Sequence, residues 1–372
     1  MLNFINVLTC GSFFILAFII AINPRRVNIA ANKWLSIFLL SIGFVMVDEP
    51  FSSLGLYTKY PYFIGIINFS VFLIAPTLYL SIVYFVTPAR IFNKKDLWHF
   101  LPALSITLLS IPTFISPSEA QIRDIYAAVT IYDIIANLIL IIIPLFIYWF
   151  LAYRKLMQHQ RHIRLFSSSL ENIDLAWLRY LLWGLAGMIL IFLNEMLNFF
   201  PILARFSSIL YGFSVYYLAY FTLKQDEIFA EKPQEILEIK TLIEESEEST
   251  VVKKQLLASD QLQVLKQTLV KLMEDRKPYL DSTLSLSKLA QLMQLSTHEL
   301  SYLINEGFDD NFFSFVNRYR IEESKRILMA PQYQHLSMVG IAFEAGFNSK
   351  TAFNTAFKKT VGVSPTEFQK QN

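Results

Sequence analysis

Charged residues and cysteine are both scarce in this chain of 372 residues. Asp, Glu, Lys and Arg make up 17% of the sequence, against 54% hydrophobic residues, which is too apolar for an ordinary soluble protein. A single cysteine, Cys10, excludes an intrachain disulfide and a cysteine-based metal cluster. The net charge of +2 excludes any argument for nucleic acid from overall charge alone. Much of the chain is therefore expected to lie in lipid.

Motifs for catalysis and for cofactors are also missing. The sequence contains no P-loop, no Gly-rich dinucleotide motif and no nucleophile elbow. His159 and His162 are one helical turn apart, but four Arg or Lys residues surround them and no further ligand is near. We therefore predict no enzymatic activity, no cofactor and no metal site.

Seven apolar segments are long enough to suggest membrane spans, because a bilayer core of about 30 Å needs roughly 20 apolar residues per helix. They lie near residues 3–22, 34–54, 62–86, 97–115, 130–152, 178–199 and 205–223. Pro102 and Pro112 interrupt the fourth. No Lys or Arg precedes Arg25, so the basic region of a cleavable signal peptide is missing and we expect the first span to be retained.

The loops between these segments differ in charge. Loops one, three and five hold ten Lys or Arg residues, and loops two, four and six hold three. The positive-inside rule places the odd-numbered loops in the cytoplasm. The sequence therefore predicts a multi-pass protein of a bacterial inner membrane, with its N-terminus outside and its C-terminal region in the cytoplasm.

An acidic stretch follows the last apolar segment. Residues 225–252 contain nine acidic and two basic residues, so both anionic lipid and DNA phosphates would repel them. Ile236, Ile239 and Ile243 have the spacing of a short coiled-coil seam, but a solvated spacer is the preferred interpretation. The predicted domains are a seven-transmembrane sensor region (1–224), an acidic linker (225–260) and a C-terminal domain (261–372).

The C-terminal domain is predicted to contain seven short helices with two helix-turn-helix units, which makes the whole chain all-α. In the first unit, a helix after Ser285 is followed by a turn at 294–296 and a second helix over 297–305. In the second, a turn at Gly346 and Phe347 precedes a helix that is capped by Asn348 or Ser349 and runs to about Thr360. A long helix over 311–330 joins the units.

The last helix of the second unit has a distinct outer face. Phe353, Ala356 and Phe357 form an inward stripe at i, i+3 and i+4. Small, hydrogen-bonding and cationic side chains are left on the other face, where they suit the base edges and phosphates of a DNA major groove. The DNA-binding residues predicted on this helix are Ser349, Lys350, Thr351, Asn354, Thr355, Lys358 and Lys359.

Residues 276–372 resemble the C-terminal domain of the AraC/XylS family of transcription regulators. The segments that carry the resemblance are Leu286-Ser287-Lys288-Leu289-Ala290, Phe315-Val316-Asn317-Arg318-Tyr319-Arg320-Ile321, Ala345-Gly346-Phe347-Asn348-Ser349, Phe357-Lys358-Lys359 and Gly362-Val363-Ser364-Pro365-Thr366-Glu367-Phe368. The resemblance implies sequence-specific binding to double-stranded promoter DNA by two recognition helices, usually for activation. Residues 1–224 do not resemble the sugar-binding barrel that many members of the family carry.

The first recognition helix departs from the family pattern. Its predicted DNA-binding residues are Thr297, His298, Ser301, Tyr302 and Asn305. None is Lys or Arg, although the family often has a basic residue where Tyr302 stands. We therefore expect a weak affinity for the monomer, which a homodimer or confinement of two copies in one membrane would strengthen.

Acidic and amide side chains in the outer halves of the spans are candidate sensor residues, because polar groups in a membrane tend to mark function. They are Asp48, Glu49, Asp133, Asn137, Asn194, Glu195 and Asn198. The alternative is that these groups cap helices or form interhelical hydrogen bonds.

The sequence therefore predicts a one-component sensor, a membrane-bound activator with membrane lipid, promoter DNA and RNA polymerase as partners and with a signal ligand that the sequence does not identify. The alternative function is a membrane transporter or receptor whose C-terminal domain is a regulatory protein-interaction module. The missing cations of the first recognition helix favour that alternative mildly.

Overall fold

The computed structural model describes residues 2–22, 28–87, 90–115, 131–168, 175–223 and 259–371. Within these ranges the chain is helical or irregular, apart from one isolated antiparallel bridge between Ser167 and Ser285. The all-α prediction is confirmed to this extent. The described residues form two compact units, one from residues up to 158 together with 175–223, and the other from 159–168 together with 259–371. After the roles predicted from the sequence, we call them the membrane unit and the DNA-binding unit.

The α-helices of the membrane unit follow the predicted apolar segments. They are α1 (Leu2–Ile22), α2 (Ile29–Met46), α3 (Asp48–Ser53), α4 (Phe63–Val86), α5 (Leu101–Ile115), α6 (Ile131–Asn137), α7 (Ile143–Phe166), α8 (Ala176–Leu197), α9 (Pro201–Arg205) and α10 (Ser207–Leu223). Short 3-10 helices lie at Leu56–Thr58 and Lys94–Phe100, and a π-helical turn at Leu138–Ile142 joins α6 to α7.

Five helical stretches among the described residues are long and apolar enough to cross a membrane. They are Phe4–Ile22, Ile29–Ser53, Phe63–Val86, Ile134–Leu165 and Ala176–Leu197. The predicted fourth and seventh spans correspond to α5 and α10, which have 15 and 17 residues within the described part of the chain, against roughly 20 residues in a typical span. The predicted number of seven spans is therefore not confirmed.

Two boundaries in the membrane unit differ from the prediction. The helical stretch of the second span begins at Ile29, five residues before the predicted start, and continues through α2 and α3 to Ser53 with Val47 between them. The predicted polar loop after Tyr153 is wrong as far as Phe166, because α7 continues to that residue. The extension is charged but rich in helix-forming residues such as Leu, Met, Gln, Arg and Lys, so hydropathy ended the span where the helix did not end.

The membrane unit buries small and polar groups where its helices meet. Ser36 on α2 donates a 2.8 Å hydrogen bond to the carbonyl oxygen of Ala17 on α1, and an added Cβ at Gly43 would lie 3.2 Å from the Phe14 ring. Small residues with interhelical hydrogen bonds are typical of helix packing in lipid. Large apolar side chains lie both between the helices, such as Phe13 at 0% exposure, and on the outside, where Phe4 and Phe18 are 71% and 65% exposed.

The DNA-binding unit contains the C-terminal α-helices and the last residues of α7. The helices are α11 (Ser259–Asp275), α12 (Leu286–Met293), α13 (Thr297–Phe308), α14 (Phe312–Met329), α15 (Met338–Glu344), α16 (Lys350–Val361) and α17 (Pro365–Gln371). Short 3-10 helices lie at Pro278–Leu280 and Pro331–Tyr333. Most of the predicted acidic linker, residues 225–258, lies outside the described residues.

Two apolar cores stabilise the DNA-binding unit, and α14 contributes to both. Phe315 and Val316 on its first half pack with α11, α12 and α13. Ile321 and Ile327 on its second half pack with α15 and α16. Each core therefore supports one helix-turn-helix unit, and the long helix connects the two units, as predicted.

Candidate nucleic-acid interface

The first helix-turn-helix unit consists of α12 and α13. Ser285 caps α12, because its hydroxyl oxygen accepts a hydrogen bond from the amide of Lys288. Gln294 ends that helix in the left-handed region at φ 58°. Ser296 and Glu299 then form a reciprocal capping box at the start of α13. The predicted turn is present, and α13 extends to Phe308, three residues beyond the predicted end.

The predicted DNA-binding side chains of α13 lie on the face opposite its core. Leu300, Leu303 and Ile304 are buried, so the remaining side chains face outward. Asn305 is exposed, whereas Thr297, His298, Ser301 and Tyr302 are half-buried. The face offers hydroxyl, imidazole and amide groups without a lysine or an arginine, and its role in binding stays a prediction.

Acidification is expected to destabilise the start of α13. Hydrogen bonds from the Ser296 amide and hydroxyl hold the pKa of Glu299 below its ordinary value of 4.5. A carboxyl whose pKa is lower in the folded state stabilises the fold above its unfolded pKa and loses this contribution as the pH falls through the folded value. Hydrogen exchange measured on residues 296–308 should therefore be slower in the wild type than in Glu299→Ala at pH 6. The difference should shrink as the pH falls below 4.5 and through the lowered pKa of Glu299.

The control for this experiment is the same comparison on residues 350–361, whose cap at Ser349 contains no carboxylate. A difference between wild type and Glu299→Ala that persists unchanged at low pH would contradict the role of the ionised carboxylate.

The second helix-turn-helix unit consists of α15 and α16. The turn between them contains Gly346 at φ +87°, and the amide of Phe347 bonds back to the carbonyl of Ala342 at 2.9 Å, as in a Schellman-type helix end. Ser349 is the N-cap of α16, since its hydroxyl accepts from the Ala352 amide at 3.1 Å. Of the two capping residues considered from the sequence, the structure selects Ser349.

The inward stripe predicted on α16 is confirmed, because Phe353 and Phe357 are fully buried and Ala356 packs against the same core. The predicted DNA-binding residues lie on the other faces of the helix. Lys350, Thr351, Thr355, Lys358 and Lys359 are exposed, and Ser349 and Asn354 are half-buried. The structure thus provides an outward surface with three cations and several hydroxyl groups, while its contact with DNA stays a prediction.

Acidic groups moderate this positive surface. Burial raises the pKa of Asp310, and the positive charges of Arg318 and Lys359 act in the opposite direction. Hydrogen bonds from Ser364 are the main cause that lowers the pKa of Glu367, and the positive charge of Lys358 lowers it further. Acidic side chains therefore lie near Lys359 and Lys358 on this surface.

A buried arginine joins the two halves of the DNA-binding unit. The guanidinium of Arg320 is 1% exposed and donates hydrogen bonds to the carbonyls of Tyr279 and Asp281 at 2.8 and 2.9 Å. Its Cζ lies 5.8 Å from the centre of the Phe347 ring, in the turn of the second unit. Burial lowers the pKa of Arg320 to about 10. Sequence reasoning missed this residue.

The position of Arg320 in the sequence contains a signal that could have identified it. Residues 312, 316, 320, 324 and 327 follow the helical spacing of the buried stripe of α14. A cation in such a stripe must hydrogen-bond with buried partners. The partners themselves come from distant parts of the chain, and local spacing cannot identify them.

The candidate sensor residues lie in several parts of the membrane unit. Tyr57 donates a 2.5 Å hydrogen bond to Asp48, which begins α3. Tyr211 on α10 donates a 2.7 Å hydrogen bond to Glu195 on α8. Asn194 binds both the amide and the carbonyl oxygen of Phe200. These contacts correspond to the structural alternative of interhelical and capping hydrogen bonds.

The other candidate sensor residues have less defined surroundings. Asn198 ends α8 at φ 50°, and Glu49, Asn137 and Asn198 are exposed. The side chain of Asp133 lies outside the described residues. The sensor role of the whole set stays a prediction. In the parts of the chain that the structure describes, no three His, Cys, Asp or Glu side chains gather as a metal site would require.

Comparison with known proteins finds similarity to the C-terminal part of the chain. Residues 289–371 match the family described as a helix-turn-helix domain. The C-terminal domain of the two-component response regulator yesN from Fusobacterium nucleatum is 28% identical, over 28% of this chain and 96% of that one, with a TM-score of 0.25. The C-terminal domain of AraT, a response regulator from Geobacillus stearothermophilus, is 25% identical, over 30% of this chain and 84% of that one, also with a TM-score of 0.25. No curated protein matches the chain.

The match and the two capped helix pairs define the class of the C-terminal domain as a helix-turn-helix domain, a class that implies DNA binding. More specifically, it is a helix-turn-helix domain of the AraC type, which is found in transcription regulators and is generally non-enzymatic.

Proposed function

We propose that this protein is a membrane-bound, sequence-specific transcription regulator that couples a signal at the membrane or at its outer face to gene expression. The observation that carries the proposal is the outward surface of α16. Cations and hydroxyl groups are exposed there, while Phe353 and Phe357 fix the opposite face of the helix in the core. Such a surface provides donors for base edges and phosphates. The match of residues 289–371 to a helix-turn-helix family supports the same interpretation.

The membrane part of the proposal rests on the five apolar helical stretches and on their outward side chains. Exposed phenylalanines and isoleucines on α1 would be costly in water and are at ease in lipid. The excess of cations in the odd-numbered loops supports a cytoplasmic DNA-binding unit with the N-terminus outside. In this arrangement the regulator is a one-component sensor and acts as an activator.

Removing the cations of α16 is expected to reduce binding to DNA. Lys350→Ala and Lys358→Ala should each lower the occupancy of bound promoter sites about fivefold, since one lost contact to a base or phosphate costs about 1 kcal/mol or more. The measurement is sequencing of DNA that is cross-linked to the full-length protein and recovered with the carbonate-washed membrane fraction of cells.

Lys271→Ala on α11 is the matched control, because it removes the same exposed charge from a helix outside both helix-turn-helix units. Equal occupancy in all variants would contradict the proposed surface. Recovery of partner proteins but no enriched DNA would favour the interaction-module alternative, for which the uncharged outer face of α13 is the specific observation.

A further inference from the structure

The helical stretch that contains α7 is longer than a membrane requires. It has 32 residues, from Ile134 to Leu165, and includes the end of α6 and the π-helical turn at Leu138–Ile142. At 1.5 Å per residue this is about 48 Å, or about 18 Å more than the bilayer core. The additional length is its basic end, which contains Arg161 and Arg164, both exposed. In the proposed membrane arrangement this basic end extends beyond the bilayer core.

The residues that follow α7 belong to the DNA-binding unit and contact its C-terminal part. Ser168 is 2% exposed, and its hydroxyl donates a hydrogen bond to the carbonyl oxygen of Leu284. Arg320 donates to the carbonyl and to the hydroxyl oxygen of Ser168, at 3.0 and 3.1 Å. Ser167 forms the isolated antiparallel bridge with Ser285. Two consecutive serines thus contact two separate positions in the C-terminal part of the unit, Leu284 with Ser285 and Arg320.

These contacts satisfy a group that would otherwise be costly to bury. Of the four hydrogen bonds of the Arg320 guanidinium, two go to Tyr279 and Asp281 and two go to Ser168. A buried guanidinium needs acceptors for its donors. If Ser168 moves away from Arg320, the guanidinium loses two of its four acceptors. The arrangements with and without this contact therefore differ by the two hydrogen bonds to Ser168.

The contact of Ser167 also lies at the start of the first helix-turn-helix unit. Ser285 is the N-cap of α12, the first helix of the first helix-turn-helix unit. Within the membrane unit the same helix α7 is fixed by Trp149, whose indole N–H donates to the carbonyl of Leu182 on α8 at 2.8 Å. One continuous helix therefore has a fixed point among the apolar helices and ends in a segment that is bound at the start of α12.

We propose that Ser167 and Ser168 are a docking segment through which α7 controls the DNA-binding unit. A movement of α7 changes the contacts of Ser168 with Arg320 and of Ser167 with the cap of α12, and this route does not pass through residues 225–258. The docking contact is independent of DNA, whereas its regulatory meaning rests on the proposed function.

Disulfide trapping tests the contact directly. Paired residues of an antiparallel bridge have Cα atoms about 4.5–5.5 Å apart, within the range of about 4.4–6.8 Å that a disulfide requires. Because Cys10 is the only cysteine, Ser167→Cys with Ser285→Cys is placed in a Cys10→Ser background. After mild oxidation of native membranes, we expect both new cysteines to lose their reactivity towards a maleimide-polyethylene glycol reagent.

The control pair is Ser167→Cys with Thr360→Cys, since Thr360 is an exposed residue of α16. This pair should stay reactive. If Ser167→Cys with Ser285→Cys stays equally reactive, the docking contact is disproved, whatever the protein does with DNA.

A charge placed on the docking segment tests regulation. Ser168→Lys sets a cation against Arg320 and should abolish the disulfide between positions 167 and 285. It should also change the occupancy of bound promoter sites at least about fivefold, the lower end of usual coupling between sites. Gln369→Lys, which adds the same charge to exposed α17, should leave both unchanged. If Ser168→Lys abolishes the disulfide while occupancy stays constant, the contact exists but does not regulate. Failure of the α16 variants would instead contradict the proposed function.

Discussion

Replacing Arg320 by methionine is expected to lower the free energy of unfolding of the DNA-binding unit by about 2–5 kcal/mol, because two buried carbonyl groups lose their partners and each costs about 1–3 kcal/mol. These are the carbonyls of Tyr279 and Ser168, and the half-buried carbonyl of Asp281 loses a third hydrogen bond. Methionine fills much of the same volume, so a cavity contributes little. The effect is therefore attributable to the lost hydrogen bonds.

The measurement is the urea concentration at which a protease cleaves the C-terminal unit of the full-length protein in isolated membranes. A tag at the C-terminus reports the cleavage. Arg318→Met is the matched control, because Arg318 lies two residues away on α14, is about half exposed and forms a 3.3 Å ion pair with Asp310. An exposed pair of this kind contributes about 0–1 kcal/mol. Similar urea midpoints for the two variants would show that the buried guanidinium does not join the two halves.

Replacing Gly346 by alanine is expected to destabilise the DNA-binding unit by about 3 kcal/mol or more, since a non-glycine residue in the left-handed region alone costs roughly 1–2 kcal/mol. A Cβ at this position would also lie 2.3 Å from the carbonyl oxygen of Tyr279 and 2.8 Å from the Cα of Leu280. Both atoms belong to the backbone, so relief requires the turn of the second helix-turn-helix unit to move away from the first half of the domain.

Gly362→Ala separates the two causes. Gly362 has nearly the same backbone angle, φ +89°, but an added Cβ would meet no atom within 4 Å. It should therefore show only the conformational cost of roughly 1–2 kcal/mol. The proteolysis assay described for Arg320 measures both, and promoter occupancy should fall in Gly346→Ala more than in Gly362→Ala, because the position of α16 relative to α13 changes. Equal effects would indicate that the close approach at Gly346 is unimportant.

The substitutions of Arg320 and of Gly346 both affect contacts of Tyr279. Its carbonyl oxygen accepts from Arg320 and lies opposite Gly346, and its ring stacks on Tyr319 at 5.6 Å. The tyrosine is 5% exposed, and burial raises the pKa of its hydroxyl to about 12, so it stays neutral. The short turn at Pro278–Leu280 therefore sets how the two helix-turn-helix units are held together, although it contributes no predicted contact to DNA.

The parts of the interface that were predicted correctly depend on residues close together in the sequence. Ser285 and Ser349 cap helices because a short hydroxyl side chain reaches an amide three residues ahead. Phe353 and Phe357 are buried together because they are four residues apart on a helix. Local spacing was also enough to place the turn at Gly346 and the long connecting helix α14.

The errors occurred where one local signal competed with another. Hydropathy ended the fifth span at residue 152, but the charged residues that follow favour a helix in water as much as a loop, and α7 continues to Phe166. The helix of the second span begins at Ile29, before its predicted start near residue 34, because Asn32 and Lys33 lower the hydropathy of a turn that is nevertheless helical. Hydropathy reports which solvent a segment prefers, and it does not report the path of the backbone.

The sequence by itself determined the periodicities, the caps and the apolar composition, because these depend on residues a few positions apart and on the solvent that each segment prefers. Only the tertiary structure decided which carbonyls bind Arg320, which backbone atoms approach Gly346, and that Ser168 lies against a helix 152 residues further along the chain. The scarcity of charge in the apolar segments separates them from the rest of the chain. Which of the few cations becomes buried, and against which distant carbonyls, depends on contacts that form only when the chain folds.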